Sequence, residues 1–261
     1  MNTIGSDARD WPAPWQLTAP ESHVLAFNGG ALEATPFMLA ITELIARRTL
    51  RLETVDRRRG LKRSREAALY EGADASTRVA DSLAPALAAY GAARRRAPDD
   101  GVLVADLAND ARSEIGPPKR YHERHVVPLL VDQGLLEAGP KRGLRRRPDH
   151  HWTTAGRDTE ADLQRWLTIG RDDLARWSTH EPATAAAWAH GAGAALLLAD
   201  ELRPHLLALV ANNHDSAGAA TASEFLDPGW LALDLSALEP LAARGGAFDG
   251  LIVDGAGTGG V

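Results

Sequence analysis

VVPLLVDQGLLEAG, residues 126–139, carries the most fold-specific pattern in the chain. Val126, Val127, Leu129 and Leu130 carry an apolar helical face up to Gly134, the residue type that ends a helix in a left-handed turn. Leu135-Leu136-Glu137-Ala138 then runs on as a strand, GPKRGLRRR (139–147) reads as the loop of a hairpin, and HWTT (151–154) as its returning strand. A helix feeding a short, basic-tipped hairpin is the outline of a winged helix. The segments before it complete such a module: a helix over 76–96 with Val79, Leu83, Leu87 and Tyr90 on one face, a turn at Asp99-Asp100-Gly101, a short helix over 103–111 and a break at Gly116-Pro117-Pro118.

The same outline occurs earlier in the chain. Thr35-Pro36 is a helix start, with the cap before a first-turn proline, and Phe37, Ile41, Leu44 and Ile45 put one apolar stripe on one helical face. TLRLETV (49–55) reads as a short strand, and DRRRG (56–60) as a turn into a second short, polar strand. The expected fold class is therefore mainly α with small β-hairpins: tandem winged-helix-like modules plus a C-terminal helical cap. Residues 1–20 form a Pro/Trp-rich arm, extended rather than helical, that either packs through Trp11 and Trp15 or stays loose. The modules span 21–75 and 76–157, and the cap spans 158–212. In the cap a helix over 158–177 aligns Leu163, Trp166, Leu167, Leu174 and Trp177, and an Ala-rich helix opened by Pro182 is interrupted by Pro204. Residues 213–261 are an acidic, Gly-rich segment with one strand at 251–253.

The charge balance sharpens this outline. The chain has 261 residues, 29 Lys+Arg against 35 Asp+Glu, and a net charge of -6, which argues against bulk attraction to nucleic acid or acidic membranes. Only Lys62, Lys119 and Lys141 are lysines, so almost every cation is an arginine. Residues 47–65 nevertheless carry a net +7, residues 112–147 a net +5 and residues 155–261 a net -9. Both basic segments fall on helix-plus-wing positions. The candidate anion contacts are Arg57, Arg58, Arg59, Lys62, Arg63, Lys119, Arg120, Arg124, Arg145, Arg146 and Arg147, because guanidinium forks bind phosphate and carboxylate bidentately. On a DNA reading, Lys119, Arg120, Tyr121 and Arg124 lie on the helix that enters the major groove and Arg145–Arg147 follow the backbone. Pro128 in that helix, the net acidity and the lack of a nearby Asn or Gln to read adenine count against it.

Catalytic patterns come close and fail. Zero cysteine removes thiolate catalysis, disulfides and Cys-type zinc sites. His122-Glu-Arg-His125 is one residue short of His-Glu-x-x-His, and Gly255-Ala-Gly257-Thr-Gly-Gly260 has no following helix to hold a pyrophosphate. Asn213-His214-Asp215-Ser216 has triad residue types, but side by side they cannot form a triad. The first thirty residues hold Asp7, Asp10, Glu21 and three prolines without an apolar run, which reads against a secretory signal. The uncharged stretch 183–199 is Ala-rich and short of the ~20 strongly apolar residues a span needs.

Two resemblances add to this reading. HVLAFNGG (23–30), followed by MLAITELIARRTLRL (38–52), then VVPLLVDQGLLE and the glycine-rich end, resembles uncharacterised actinobacterial proteins with winged-helix-like units; it implies a fold and no activity. MLAITELIARRTLRL and VDQGLL (131–136) are also similar to two elements of the Golgi phosphoprotein 3 family, whose members bind a phosphorylated inositol lipid through Trp and Arg side chains. The N-terminal leucine run and acidic turn of that family are missing, and its binding Trp and Arg have no matched positions here. That resemblance implies only a ligand class, anionic headgroups. The expectation is a non-enzymatic, cytoplasmic binding or regulatory protein that engages a macromolecular partner, foremost another protein. Duplex DNA is one alternative and peripheral binding to an anionic membrane surface another. No catalytic residue, metal or small-molecule cofactor is expected.

Overall fold

A computed structural model describes residues 11–31, 34–59, 62–96, 101–139 and 149–215 of the chain. Helices dominate, and the strands form two small antiparallel sheets. The fold is organised around a short helix, α1 (Ala19–Ala26), whose residues from Ala19 to Leu25 are all buried. Thr18 and Glu21 form a reciprocal capping box at its start. Its first amide, on Ala19, donates at 2.6 Å to Oε2 of Glu43, a fully buried carboxylate on α2 (Thr35–Ala46). The other oxygen of Glu43 accepts from Arg47 at 2.7 Å. Burial pushes the Glu43 carboxyl above the usual range, against the opposing pull of Arg47 and of the Ala19 amide. Thr18 Oγ1 also shares a 2.8 Å hydrogen bond with the buried Ser82, and the Tyr121 hydroxyl donates to the Ser82 carbonyl.

Phe37, Ile41, Leu44 and Ile45 of α2 are fully buried, as their spacing predicts. Arg48 turns the chain with φ +56° into the hairpin of β1 (Leu50–Arg59) and β2 (Lys62–Glu71), which runs in register from Leu50↔Glu71 to Arg59↔Lys62. These are ten-residue strands, longer than the short ones expected. A third strand, β3 (Val102–Leu103), pairs only with Leu69 and Ala68 at the base of β2. The helix expected over 76–96 begins at Ala84 as α3 (Ala84–Arg96): Pro85 has no amide to bond back to residue 81. Leu103, expected to open the next helix, ends β3, and α4 (Val104–Glu114) follows.

Over residues 126–138 the helix gives way to a strand as the sequence predicts, while the returning strand expected over 151–154 is 150–152, because Thr153 caps the helix that follows, and residues 140–147 of the expected loop lie outside the described residues. A π-helical turn (His122–Val126) leads into α5 (Val127–Asp132), so Pro128 falls at the start of a helix, where a missing amide is tolerated. Gly134 has φ +72°, and the Leu135 amide reaches back to the Leu130 carbonyl at 2.9 Å. The next strand, β4 (Leu136–Ala138), pairs with β5 (His150–Trp152). The Trp152 amide donates to Asn28 Oδ1 at 2.8 Å and its indole N–H to the Leu25 carbonyl at 2.7 Å, locking this second hairpin to the end of α1.

The long α6 (Thr154–His180) carries Leu163, Trp166, Leu167, Leu174 and Trp177 inward, all buried. It crosses α7 (Pro182–Ala192) through an exchange of glycines and tryptophans: a Cβ on Gly170 would lie 2.3 Å from the Trp188 ring, and one on Gly191 2.4 Å from the Trp166 ring. The Ala-rich helix is broken at Gly193, φ +50°, into a 3₁₀ segment (Gly193–Leu198), and Pro204 sits in the first turn of α8 (Arg203–Asp215) instead of interrupting a helix. Of the arm, residues 1–10 lie outside the described residues and Ala19-Pro20 open α1, while the rest packs: Trp11 lies 6.0 Å from both Trp166 and Trp177, and the Trp15 amide donates to the Gly191 carbonyl at 2.7 Å. Buried side chains from α1 through α8 form one contiguous core. No helix among the described residues is long and apolar enough to cross a membrane. The strand expected at 251–253 lies outside the described residues.

Two substitutions test these contacts by chemical denaturation. Gly170→Ala drives a methyl into the Trp188 ring and lowers stability by about 1–3 kcal/mol, whereas Gly134→Ala, with open space around it, loses only the ~1 kcal/mol set by its positive φ. Glu43→Ala leaves the Ala19 amide without its acceptor and lowers stability by about 2–4 kcal/mol, while Glu43→Gln, which keeps a carbonyl there, loses less.

Candidate functional site

Helix α1 ends at Phe27-Asn28-Gly29, where two successive left-handed residues, Asn28 (φ 53°) and Gly29 (φ 83°), turn the chain sharply. A side chain at Gly29 would lie 2.6 Å from His150 Cβ, so the turn and the second hairpin fit only with glycine. This turn leaves Phe27 46% exposed, the one large hydrophobic side chain so exposed among the described residues. Phe27 stacks 4.6 Å from His23 at the edge of a cavity of about 550 Å³.

Three groups of residues build that cavity. Thr35, Met38, Leu39 and Thr42 present the second face of α2, at helical spacing beside the core stripe; Leu163, Leu167 and Arg171 lie four apart along α6; Leu197, Leu198 and Arg203 close it. Arg171 Nε donates to Glu201 at 2.7 Å, which holds the Glu201 carboxyl below the usual range, and Arg203 pairs with Asp200. His23 lines the cavity with 7% exposure, and its Nε2 has no hydrogen-bond partner among the described residues. Burial, reinforced by His122, pulls its pKa down to about 4, so the ring is neutral at neutral pH. His122 and His150 are lowered by burial in the same way.

The basic residues singled out in the sequence are not gathered into one site. Arg57, Arg58, Arg59, Lys62 and Arg63 occupy the distal half of the β1–β2 hairpin, where the register sets Arg58 opposite Arg63 and Arg59 opposite Lys62. Nearer the base the cations are paired: Arg47 with Glu43, Arg51 with Glu53, Arg65 with Asp56. Lys119 and Arg120 lie on a 3₁₀ turn (Pro118–Arg120) rather than on a groove-entering helix. Arg124, on the π-helical turn, points its guanidinium at the Ile115 carbonyl, 3.5 Å away, beyond the end of α4. Tyr121 is 1% exposed and held by Ser82, so it cannot reach a phosphate. Arg145, Arg146 and Arg147 lie outside the described residues. His125 packs on Tyr121 at 5.2 Å with Nε2 3.4 Å from the Ile115 carbonyl, which gives the near-match to a zinc motif a structural role. Among the described residues no three His, Asp or Glu side chains form a group that could hold a metal.

The cavity residues were not singled out from sequence. The available signal was that α2 is apolar beyond its core stripe, at Met38 and Leu39, and that Arg171 continues the Leu163–Leu167 row.

Because His23 binds its proton less readily folded than unfolded, the unfolded chain takes up the proton first as pH falls, and stability is lost between about pH 6.5 and about pH 4. Denaturation curves across that range should show His23→Gln relieving a loss on the order of 3 kcal/mol; parallel pH profiles for variant and wild type would refute this. No protein family, curated protein or solved structure matches the chain.

Proposed function

We propose that the protein is a non-enzymatic binding or regulatory protein in which two winged-helix-like modules, with the helical cap behind them, present the β1–β2 hairpin to the anionic face of a macromolecular partner. The observation that carries this reading is the geometry of the hairpin. β3 pairs with β2 only at Ala68 and Leu69, so six rungs of the ladder, Thr54↔Ala67 to Arg59↔Lys62, extend beyond that support, and residues 57–65 hold six cations and no acid. A two-stranded ribbon of this kind can follow an acidic protein surface or a nucleic-acid groove, and guanidinium groups suit both. Lys119 and Arg120 add cations on a separate turn.

Peripheral binding to anionic lipid headgroups is a second reading. It is favoured by one specific observation, the exposed Phe27 ring at the edge of a cavity that Arg171 and Arg203 also line, since an exposed apolar group on a surface with cations suits a membrane. A cytoplasmic location belongs to the same proposal.

Binding measured from about 50 to 200 mM salt separates the partners when run with three probes: labelled duplex DNA, phosphatidylserine vesicles and polyglutamate. The expected result is affinity that falls steeply with salt for one probe, with a shallower slope once Arg57, Arg58, Arg59, Lys62 and Arg63 are changed to Ala. A variant carrying Ala at Arg145, Arg146 and Arg147 tests the second hairpin in the same way. Phe27→Ser weakening only the vesicle arm supports the lipid reading. Salt-insensitive or absent binding to all three overturns the anionic-partner proposal.

A further inference from the structure

We infer that the cavity between α1, α2, α6 and residues 197–203 is a binding site for one amphipathic carboxylate whose apolar chain also carries a hydroxyl or similar hydrogen-bonding group. The inference is independent of the basic hairpin. Four features of the cavity carry it.

The volume, about 550 Å³, lies in the range of sites that enclose a small organic ligand, ~300–1,000 Å³. Its walls are apolar where Met38, Leu39, Leu167 and Leu197 meet, a surface suited to an alkyl chain. Two guanidinium groups stand at its rim. The Arg203 side chain is only 21% exposed, while its partner Asp200 is 81% exposed, so the cation is turned to the protein and the acid to water. The Arg171–Glu201 pair is half exposed on both sides. Exposed pairs of this kind are weak, and a ligand carboxylate can exchange for either acid while gaining charge-assisted hydrogen bonds.

The fourth feature sets the ligand apart from a simple fatty acid. His23 is buried, lines the cavity, and leaves Nε2 without a hydrogen-bond partner among the described residues. A buried polar atom left in this way is unfavourable unless something pairs with it. The ring is neutral, so one tautomer accepts at Nε2 and the other donates, and a hydroxyl satisfies either once the ring turns this enclosed atom toward the cavity. An all-hydrocarbon chain satisfies neither.

The test uses the full chain and 11-(dansylamino)undecanoate as a fluorescent probe, displaced in turn by dodecanoate and 12-hydroxydodecanoate. Expected are saturable binding of one probe per chain and displacement by the hydroxylated acid at a concentration at least fivefold lower. His23→Phe should abolish that preference while leaving dodecanoate binding in place. Arg171→Ala with Arg203→Ala should weaken both acids tenfold or more. Leu39→Trp, which fills the cavity from its partly exposed wall, should remove probe binding, and Met38→Trp serves as a second filling variant if the first unfolds. Non-saturable probe binding, or binding unchanged in both filling variants, overturns the site. Equal displacement by the two acids overturns the role given to His23 and with it the ligand class.

Discussion

A carboxylate with no access to water holds the first turn of the most buried helix. Glu43 reaches from α2 to the Ala19 amide, one of the orphan N–H groups that every helix start leaves, and Arg47 neutralises its other oxygen. Around this contact the Thr18–Glu21 box, Ser22, Ser82 and Tyr121 are linked by hydrogen bonds, so residues from four separated segments share one polar network inside an otherwise apolar core. A network of this sort tolerates few alternatives, because any shift of α1 leaves several buried groups unpaired at once. The cavity, the Phe27 turn and the docking of the second hairpin all take their positions from α1. Their geometry therefore depends on the anchoring of its first turn.

The cap contributes a different kind of constraint. Where α6 and α7 cross, each helix supplies a glycine at the point where the other supplies a tryptophan, and Trp11 from the arm covers the pair. Trp166 also donates to the Ala13 carbonyl, so the arm is held by both ring packing and backbone hydrogen bonds. The same α6 presents Leu163, Leu167 and Arg171 to the cavity, which means that one rigid helix carries a wall of the site on one side and the Trp cluster on another.

The legible parts of the sequence were those governed by neighbours in the chain. Gly134 ends a helix through its own backbone, and Thr35-Pro36 starts one, although Thr35 is its first helical residue after Ala34 and not the expected cap, so both ends were visible in a short window. The length of the first hairpin was not, because arginine after arginine leaves no apolar alternation to reveal strands that are defined by pairing with each other. Tyr121 had the composition of a phosphate contact beside Arg120 and Arg124, yet its ring is core, packed edge-on against Phe37 at 5.5 Å. The cavity was least legible of all. Its walls come from residues 23–42, 163–171 and 197–203, and only the packing of α1, α2 and α6 brings them together.

The pairing of Arg58 with Arg63 and of Arg59 with Lys62 gives the first hairpin an internal opposition, since like charges directly across from one another work against the zippering of the strands. Any polyanion that lies along those positions removes that repulsion. On the proposed function, binding and strand pairing are linked equilibria: a partner would stabilise the distal ladder, and the formed ladder would lower the free energy still to be spent on binding. Rising ionic strength screens that repulsion and so favours the outer rungs, in the opposite sense to its effect on the binding of a polyanion.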